Sequence, residues 1–467
     1  MNLIPRPPVE AVHVAHESSH DADLAPGTFT VGSTLRHVLV MTATGAVGLV
    51  AVFMVEFLTL LYISRLGDTE LTAAVGYASQ VTFLLISINI GLTIAVGALV
   101  SRALGARDRE KARVVAASGV TLMALIAGAL SFAVMPFTHG ILAVIGARGE
   151  ALEVGSLYLR IILPGTLLLG LGMAFSAVLR GVGDARRAMY VTLGGAVVTA
   201  CLDPVFIFVL HLGVVGAGIV VLISRVCLAA TGWHGAVRVH GLVARPTLAG
   251  LRADTMPLAA IAAPAVLTNI ASPIANIYAM RIFSGFGDAV VAAFAIMDRV
   301  TPVAFGTLFA LSGAVGPIMG QNYGAKAFGR VRGVLDDCYG VSAVYVALVG
   351  VVLWLAAPAI VWLFAATGET AELLVFFCRV GALLWFFLGG VFVANAAYNN
   401  LGWPFLSTAI NWGRATIGTI PFVTLGAAWY GPKGGYVGMI LGAALFGVVA
   451  VIGSYRLVGR ISRQAEA

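Results

Sequence analysis

Glu56 stands alone in "FMVEFLTLLYI", the only charge in a run from Val38 to Ser64. An ionised carboxylate in hydrocarbon costs about 2.5 kcal/mol or more. Glu56 is therefore expected to be neutral, partnered or facing water. Asp203, in "LDPVFIF", is a second acid in an apolar run, and the next residue is Pro204. Proline removes a backbone donor and leaves the Ala200 carbonyl without its helical partner. Irregular backbone beside a buried acid suits ion binding, because such backbone survives at membrane depth only inside protein or beside water. Two neighbouring carboxyls resist double ionisation and so suit proton uptake and release. Permanent pairing with Arg160 or Arg225 is the blander alternative. Asp298, in "AIMDRVTP", is a third candidate, either for a cationic ligand or for a structural pair with Arg281 or Arg414.

The elements that must carry these acids are membrane helices. The chain has 467 residues, 60% hydrophobic and only 10% charged, with 56 glycines; soluble domains carry about 25% charged residues. Windows of about 20 residues, enough to span roughly 30 Å of hydrocarbon, give twelve apolar segments, the first at 36–64 and the fifth at 188–211. The expected fold is all-α and polytopic. Glu56 lies nine residues from Arg65 and Asp203 eight from His211. At 1.5 Å per residue both sit roughly 12 to 14 Å below the same boundary, so they can meet.

Arg102, Arg107, Arg109, Lys111 and Arg113 follow the second segment, and later connections on that side carry further basic residues, including Arg186, Arg187, Arg330 and Arg332. Opposite connections offer Arg65, Arg148, Arg281 and Lys433. The asymmetry predicts cytoplasmic termini, and it accounts for the net charge of +7 without a nucleic-acid partner. No secretory signal is expected before the first helix. His13, His16 and His20 lie in a polar stretch expected to be solvated rather than metal-binding. Cys201, Cys227, Cys338 and Cys378 occur singly, without metal-ligand spacing.

Internal repetition sets the architecture. "GEALEVGSLYLR" (149–160) returns about 220 residues later as "GETAELLVFFCR" (368–379), "LGARDREKAR" as "YGAKAFGRVR", "RLGDTELTAAV" as "GFGDAVVAAF" and "LGVVGAGI" as "GGYVGMIL". The repeats imply two six-helix halves with a cavity between them. The expected division is a disordered cytoplasmic tail at 1–33, an N-terminal half at 34–239, a linker at 240–255, a C-terminal half at 256–459 and a tail at 460–467.

Together with "LRGVGDARRAMY" and "GQNYGAKAFGRVR", these blocks resemble the multidrug and toxic compound extrusion (MATE) family over essentially the whole length. The resemblance implies a secondary antiporter of the bacterial inner membrane. It would export small organic cations or drugs in exchange for protons or sodium, as a monomer in contact with lipid and without a cofactor. It also implies the branch whose N-terminal half carries the coupling acids, here Glu56 and Asp203. Thr199 stands where that branch often has an asparagine. Asn276 stands where sodium-coupled members have an acid, which tilts coupling toward H+. A broad cation site would draw on Gln80, Asn276, Asp298, Met173, Phe175, Met280 and Trp385, with Phe57, Tyr62 and Phe305 as further candidates.

Three rivals are weighed. A major-facilitator carrier also has two six-helix halves, but "GARDREKAR" fits its loop motif poorly. A lipid or polysaccharide-intermediate flippase would gather Arg160, Arg225, Arg299 and Arg379 around one cavity. A membrane-embedded enzyme lacks support, since there is no HExxH, nucleotide loop or paired nucleophile and base.

Overall fold

A computed structural model describes residues 27–64 and 69–466. The helices, in order, are α1 (Thr34–Ser64), α2 (Thr69–Gly105), α3 (Arg109–Val134), α4 (Thr138–Ile145), α5 (Gly149–Ile162), α6 (Gly165–Val182), α7 (Ala185–Pro204), α8 (Gly213–Trp233), α9 (Leu248–Ser284), α10 (Asp288–Gly324), α11 (Phe328–Leu363), α12 (Gly368–Asn400), α13 (Pro404–Gly413) and α14 (Ile420–Glu466). There is no strand among the described residues. Among the described residues eleven helical stretches are long and apolar enough to cross a membrane, and the last, Pro404–Gln464, is bent at Tyr430 and Gly431 into two. The protein is thus a multi-pass membrane protein with the twelve crossings its sequence suggests.

Composition explains why so much of the surface is apolar. Val226, Trp354, Leu355 and Trp362 are at least half exposed or close to it, as expected where lipid tails replace water. Separate apolar cores hold the two halves: Met123, Val178 and Leu179 belong to one in the first half, and Phe294, Phe377 and Tyr436 to one in the second. The halves meet chiefly through α1 against α10 and α2 against α9 and α10.

At the end bearing the basic connections, which we call the basic end, they lock. Gln321 on α10 is 1% exposed. Its Nε2 donates to the Gly181 carbonyl at 2.7 Å, and its Oε1 accepts from the Phe29 amide at 2.8 Å. Arg102 on α2 donates to the Asn400 and Asn399 carbonyls at 2.9 and 3.0 Å. Where α2 and α10 cross, a methyl group at Gly105 would overlap the Gln321 carbonyl, and one at Gly324 the Arg102 carbonyl. Only glycine permits main chains to approach so closely.

Two expectations change. Residues 27–33, assigned to a disordered tail, are seated in this lock. The Phe29 side chain is 2% exposed, and its carbonyl accepts from Asn322 Nδ2 at 3.1 Å and Arg330 Nη2 at 3.0 Å. The segment lacks helical periodicity, so its order comes from partners some 300 positions later. The linker is shorter than 240–255, because α9 begins at Leu248, where Thr247 caps it by accepting from the Gly250 amide. The tail at 460–467, for which the sequence set no secondary structure, is helical through Glu466. Arg460 there lies over the Trp403 ring at 5.9 Å, and its neighbours are good helix formers. His13, His16 and His20 fall outside the described residues.

Candidate functional site

Glu56, Thr59 and Ile63 share one face of α1, three and four residues apart. Ile63 is fully buried among Leu159, Ile207 and Val214, which fixes the rotation of α1 and turns Thr59 toward α7. There the Thr59 hydroxyl donates to Asp203 Oδ2. Asp203 is 1% exposed and its Oδ1 has no hydrogen-bond partner. A buried carboxyl with one oxygen satisfied keeps the other for a proton, a cation or a water.

Pro204 ends the α-helical part of α7, and Val205–Val209 follows as a π-type turn, closed by the Leu210 amide on the Val205 carbonyl at 2.9 Å. Such wide turns mark functional sites in helices. Thr199, one turn before Asp203, is buried and gives its hydroxyl to the Gly195 carbonyl at 3.1 Å. It does not bond to either acid.

Glu56 is exposed and makes no hydrogen bond or ion pair among the described residues. Of the partners expected for it, neither Arg160 nor Arg225 is in hydrogen-bond or ion-pair contact with it. The arginines do not clamp the acids. Arg225, 7% exposed, donates to the Ile162 carbonyl at 2.7 Å, and its charge acts on Glu56 from beyond contact. That carbonyl is free because the Thr166 amide turns to Leu163 instead, leaving a helix-end acceptor unfilled. Arg160 donates to Thr138 at 3.0 Å. Permanent pairing with Arg160 or Arg225 is therefore absent. Tyr158, buried on α5, lies in the fields of Arg225, Asp203 and Glu56.

Sequence reasoning missed Thr59 and Tyr158. The "EFLT" spacing contained the signal for Thr59; Tyr158 had none.

In the second half, Phe305 stacks on Trp385 with centroids 4.9 Å apart and planes 8° apart. Phe309 packs edge-on to Trp385 at 5.9 Å and joins Phe53 of α1 at 6.3 Å and Phe392 at 5.2 Å. Phe305 and Trp385 were candidates; Phe53, Phe309 and Phe392 were not. Asp298 is exposed and forms no ion pair among the described residues, so pairing with Arg281 or Arg414 is not seen. Arg414 instead donates to the Ser272 hydroxyl at 2.8 Å, and its Nε has no partner. Gln80 and Asn276 are exposed, and Met173 and Met280 half-buried. Phe175 lies in the apolar core of the first half, and Tyr62 packs on Phe208. Phe57 is exposed.

The four arginines that a pyrophosphate site would gather are dispersed. Arg379 lies over Trp354 at 5.6 Å, Arg299 is exposed on α10, and the other two serve Ile162 and Thr138.

Comparison with known proteins places these features in a family. The MatE family model matches residues 46–205 and again 264–425, once per half. Over 440 residues the chain is 28% identical to a FAD transporter of Shewanella oneidensis, covering 92% of this chain and 96% of that protein. It is 23% identical to the multidrug export protein MepA of Staphylococcus aureus, covering 87% and 90%. A multidrug resistance MATE family transporter of the MOP superfamily, solved in an outward-facing conformation, superposes with a TM-score of 0.88 at 21% identity, over 93% of this chain and 98% of that one.

Proposed function

The chain belongs to the MatE family of membrane transporters, and we propose that it is an antiporter exporting small organic cations in exchange for protons. The observation that carries this reading is a buried Asp203 that keeps one oxygen unpartnered and is joined through Thr59 to the helix of the exposed, unpaired Glu56. In this reading the protein works as a monomer in a bacterial inner membrane, with the basic end and both termini in the cytoplasm.

The cycle follows from desolvation. When the two acids are ionised, water must reach them, which favours the cavity open away from the basic end. A proton removes that cost. α1 and α7 then close around the Pro204 bend, and the bound cation is expelled. A ligand shifts such an equilibrium only by binding one state better, and the proton does so by favouring the closed one. A flat cation fits against exposed Phe309 and half-buried Trp385, with exposed Asp298 as a counter-charge.

Proteoliposomes loaded with a fluorescent cationic dye provide the test under separately imposed proton and sodium gradients. Transport should follow the proton gradient and collapse with a protonophore. Transport driven by sodium alone, indifferent to pH, would overturn the proton reading in favour of a sodium-coupled exporter.

One observation favours a second reading of the substrate. Arg414 is a mostly buried guanidinium with no carboxylate in salt-bridge range and an unpartnered Nε. Buried charge is normally paired. An anionic dinucleotide, the kind of solute named for the Shewanella relative, would supply the counter-charge. Export of a flavin dinucleotide but not of a cationic dye would select it, whereas a flippase would require the dispersed arginines to converge.

A further inference from the structure

Away from the acids, α7 and α8 open a cavity of about 370 Å³ at the basic end, lined by Arg186, Arg187, Tyr190, Thr231 and His234 together with Asp184. The carboxylate does not leave the cavity acidic. Asp184 Oδ1 accepts from the Arg187 amide at 3.0 Å, and Oδ2 accepts from Arg187 Nη1 at 2.5 Å and contacts His240 Nε2 at 2.8 Å. Arg186 is exposed and forms no hydrogen bond or ion pair among the described residues, and the same holds for His234. Farther along the chain, Arg238 covers the Trp233 ring at 4.9 Å.

The cavity continues into a lipid-facing track. Tyr190 and Val197, seven residues apart on α7, are 50% and 51% exposed, and Ile223 on α8, eight residues before Thr231, is 36% exposed. Seven or eight residues are about two helical turns, so Val197 and Ile223 lie near the cavity-lining faces of their helices. Both faces run from the cavity toward the membrane interior. Tyrosine at the mouth suits the headgroup level, where its ring is half apolar and half wet.

We propose that this cavity is a binding site for an anionic phospholipid, with the phosphate on Arg186 and His234 and an acyl chain along the track of α7 and α8. Basic pockets between membrane helices on the positively charged side recognise such headgroups. The planar fork of Arg186 suits a phosphate better than a point charge does. The site is independent of whichever substrate the transporter carries.

Thermal unfolding of the purified full chain in detergent, titrated with phosphatidylglycerol, phosphatidylcholine or inorganic phosphate, tests this. Phosphatidylglycerol should raise the melting temperature saturably, and phosphatidylcholine should not. Arg186→Ala should require about fivefold more lipid for half the effect, the weight of one basic residue at an anionic surface. Arg186→Lys should fall between, and guards against a folding defect in the alanine variant. Lys111→Ala removes an exposed charge outside the cavity and should leave the titration unchanged. Equal shifts in Arg186→Ala and the parent, or equal effects of the two lipids, would overturn the site. Inorganic phosphate reproducing the whole shift would overturn its assignment to lipid.

Discussion

The hydroxyl of Thr59 on α1 donates to Asp203 Oδ2 on α7, joining the helix that carries the exposed acid to the helix that carries the buried one. One oxygen of Asp203 is thereby fixed and the other left open. Movement of α1 is therefore felt by the Asp203 carboxyl.

Replacing Glu56 with Gln, or Asp203 with Asn, should each abolish proton-driven export. The double replacement should be no worse than either single one, because residues acting as a unit are not additive. Dye efflux from cells expressing each variant at matched levels measures this. Near-normal export by Glu56→Gln would reduce Glu56 to a polar passenger.

Thr59→Val keeps the shape and removes the hydrogen bond. The loss should cost about 1 to 3 kcal/mol, the range for bonds to carboxyls and for buried groups left unmade. It should also shift the pH at which transport is half-maximal. An unaltered pH profile would confine Thr59 to a structural role.

The crossing of α2 and α10 tolerates no side chain at Gly105. Gly105→Ala should prevent full closure of the basic end, with overpacking worth about 1 to 3 kcal/mol. A cysteine introduced at Ser101, buried in this crossing, should become reactive to a membrane-impermeant thiol reagent in that background. No gain in labelling would show that the crossing yields without opening.

Asp184 lies between α6 and α7, outside the membrane spans. Burial pushes its carboxyl up, but hydrogen bonds from the Arg187 amide and guanidinium and from His240, with the Arg187 charge, more than offset this. Its pKa therefore lies below the ordinary carboxylate value. A depressed folded pKa stabilises fully above the unfolded value of about 3.9, and the contribution disappears as pH falls through the lower folded one. The melting-temperature gap between the parent and Asp184→Asn should be constant from pH 7 to about 5 and shrink below about 4. A gap that persists to the lowest pH would refute the linkage.

The acids were legible because a charge in an apolar run must be explained, and Glu56 and Asp203 were the charges that could share a depth. The repeats made the two halves legible as well. The aromatic cluster was visible only in part. Periodicity does not distinguish a helix face turned to lipid from one turned to the core, so Phe309 and Phe392 looked like their neighbours, while Phe175 and Phe305, both buried in apolar cores, looked like cavity residues. Partners far apart in sequence were beyond reach. Gln321 reads as a polar residue in a loop motif, and nothing near Phe29 announces that the two will meet. The arginine pairings failed for a local reason: the α5–α6 break at Leu163 and Pro164 creates a carbonyl that Arg225 fills, and the break was not used to predict it.

The seat of Phe29 against Gln321 also has a consequence for synthesis. Their hydrogen bond spans 292 positions. At about 5 to 20 residues per second, the second partner leaves the ribosome roughly a quarter of a minute to a minute after the first. For that interval the closing segment is unmated, and over about its last 82 positions a completed first half sits in the bilayer without its seal. A nascent chain stalled before α10 would thus leave a half-transporter that lacks the partner surface for its own seal, and quality control could recognise it by the exposed Phe29 segment.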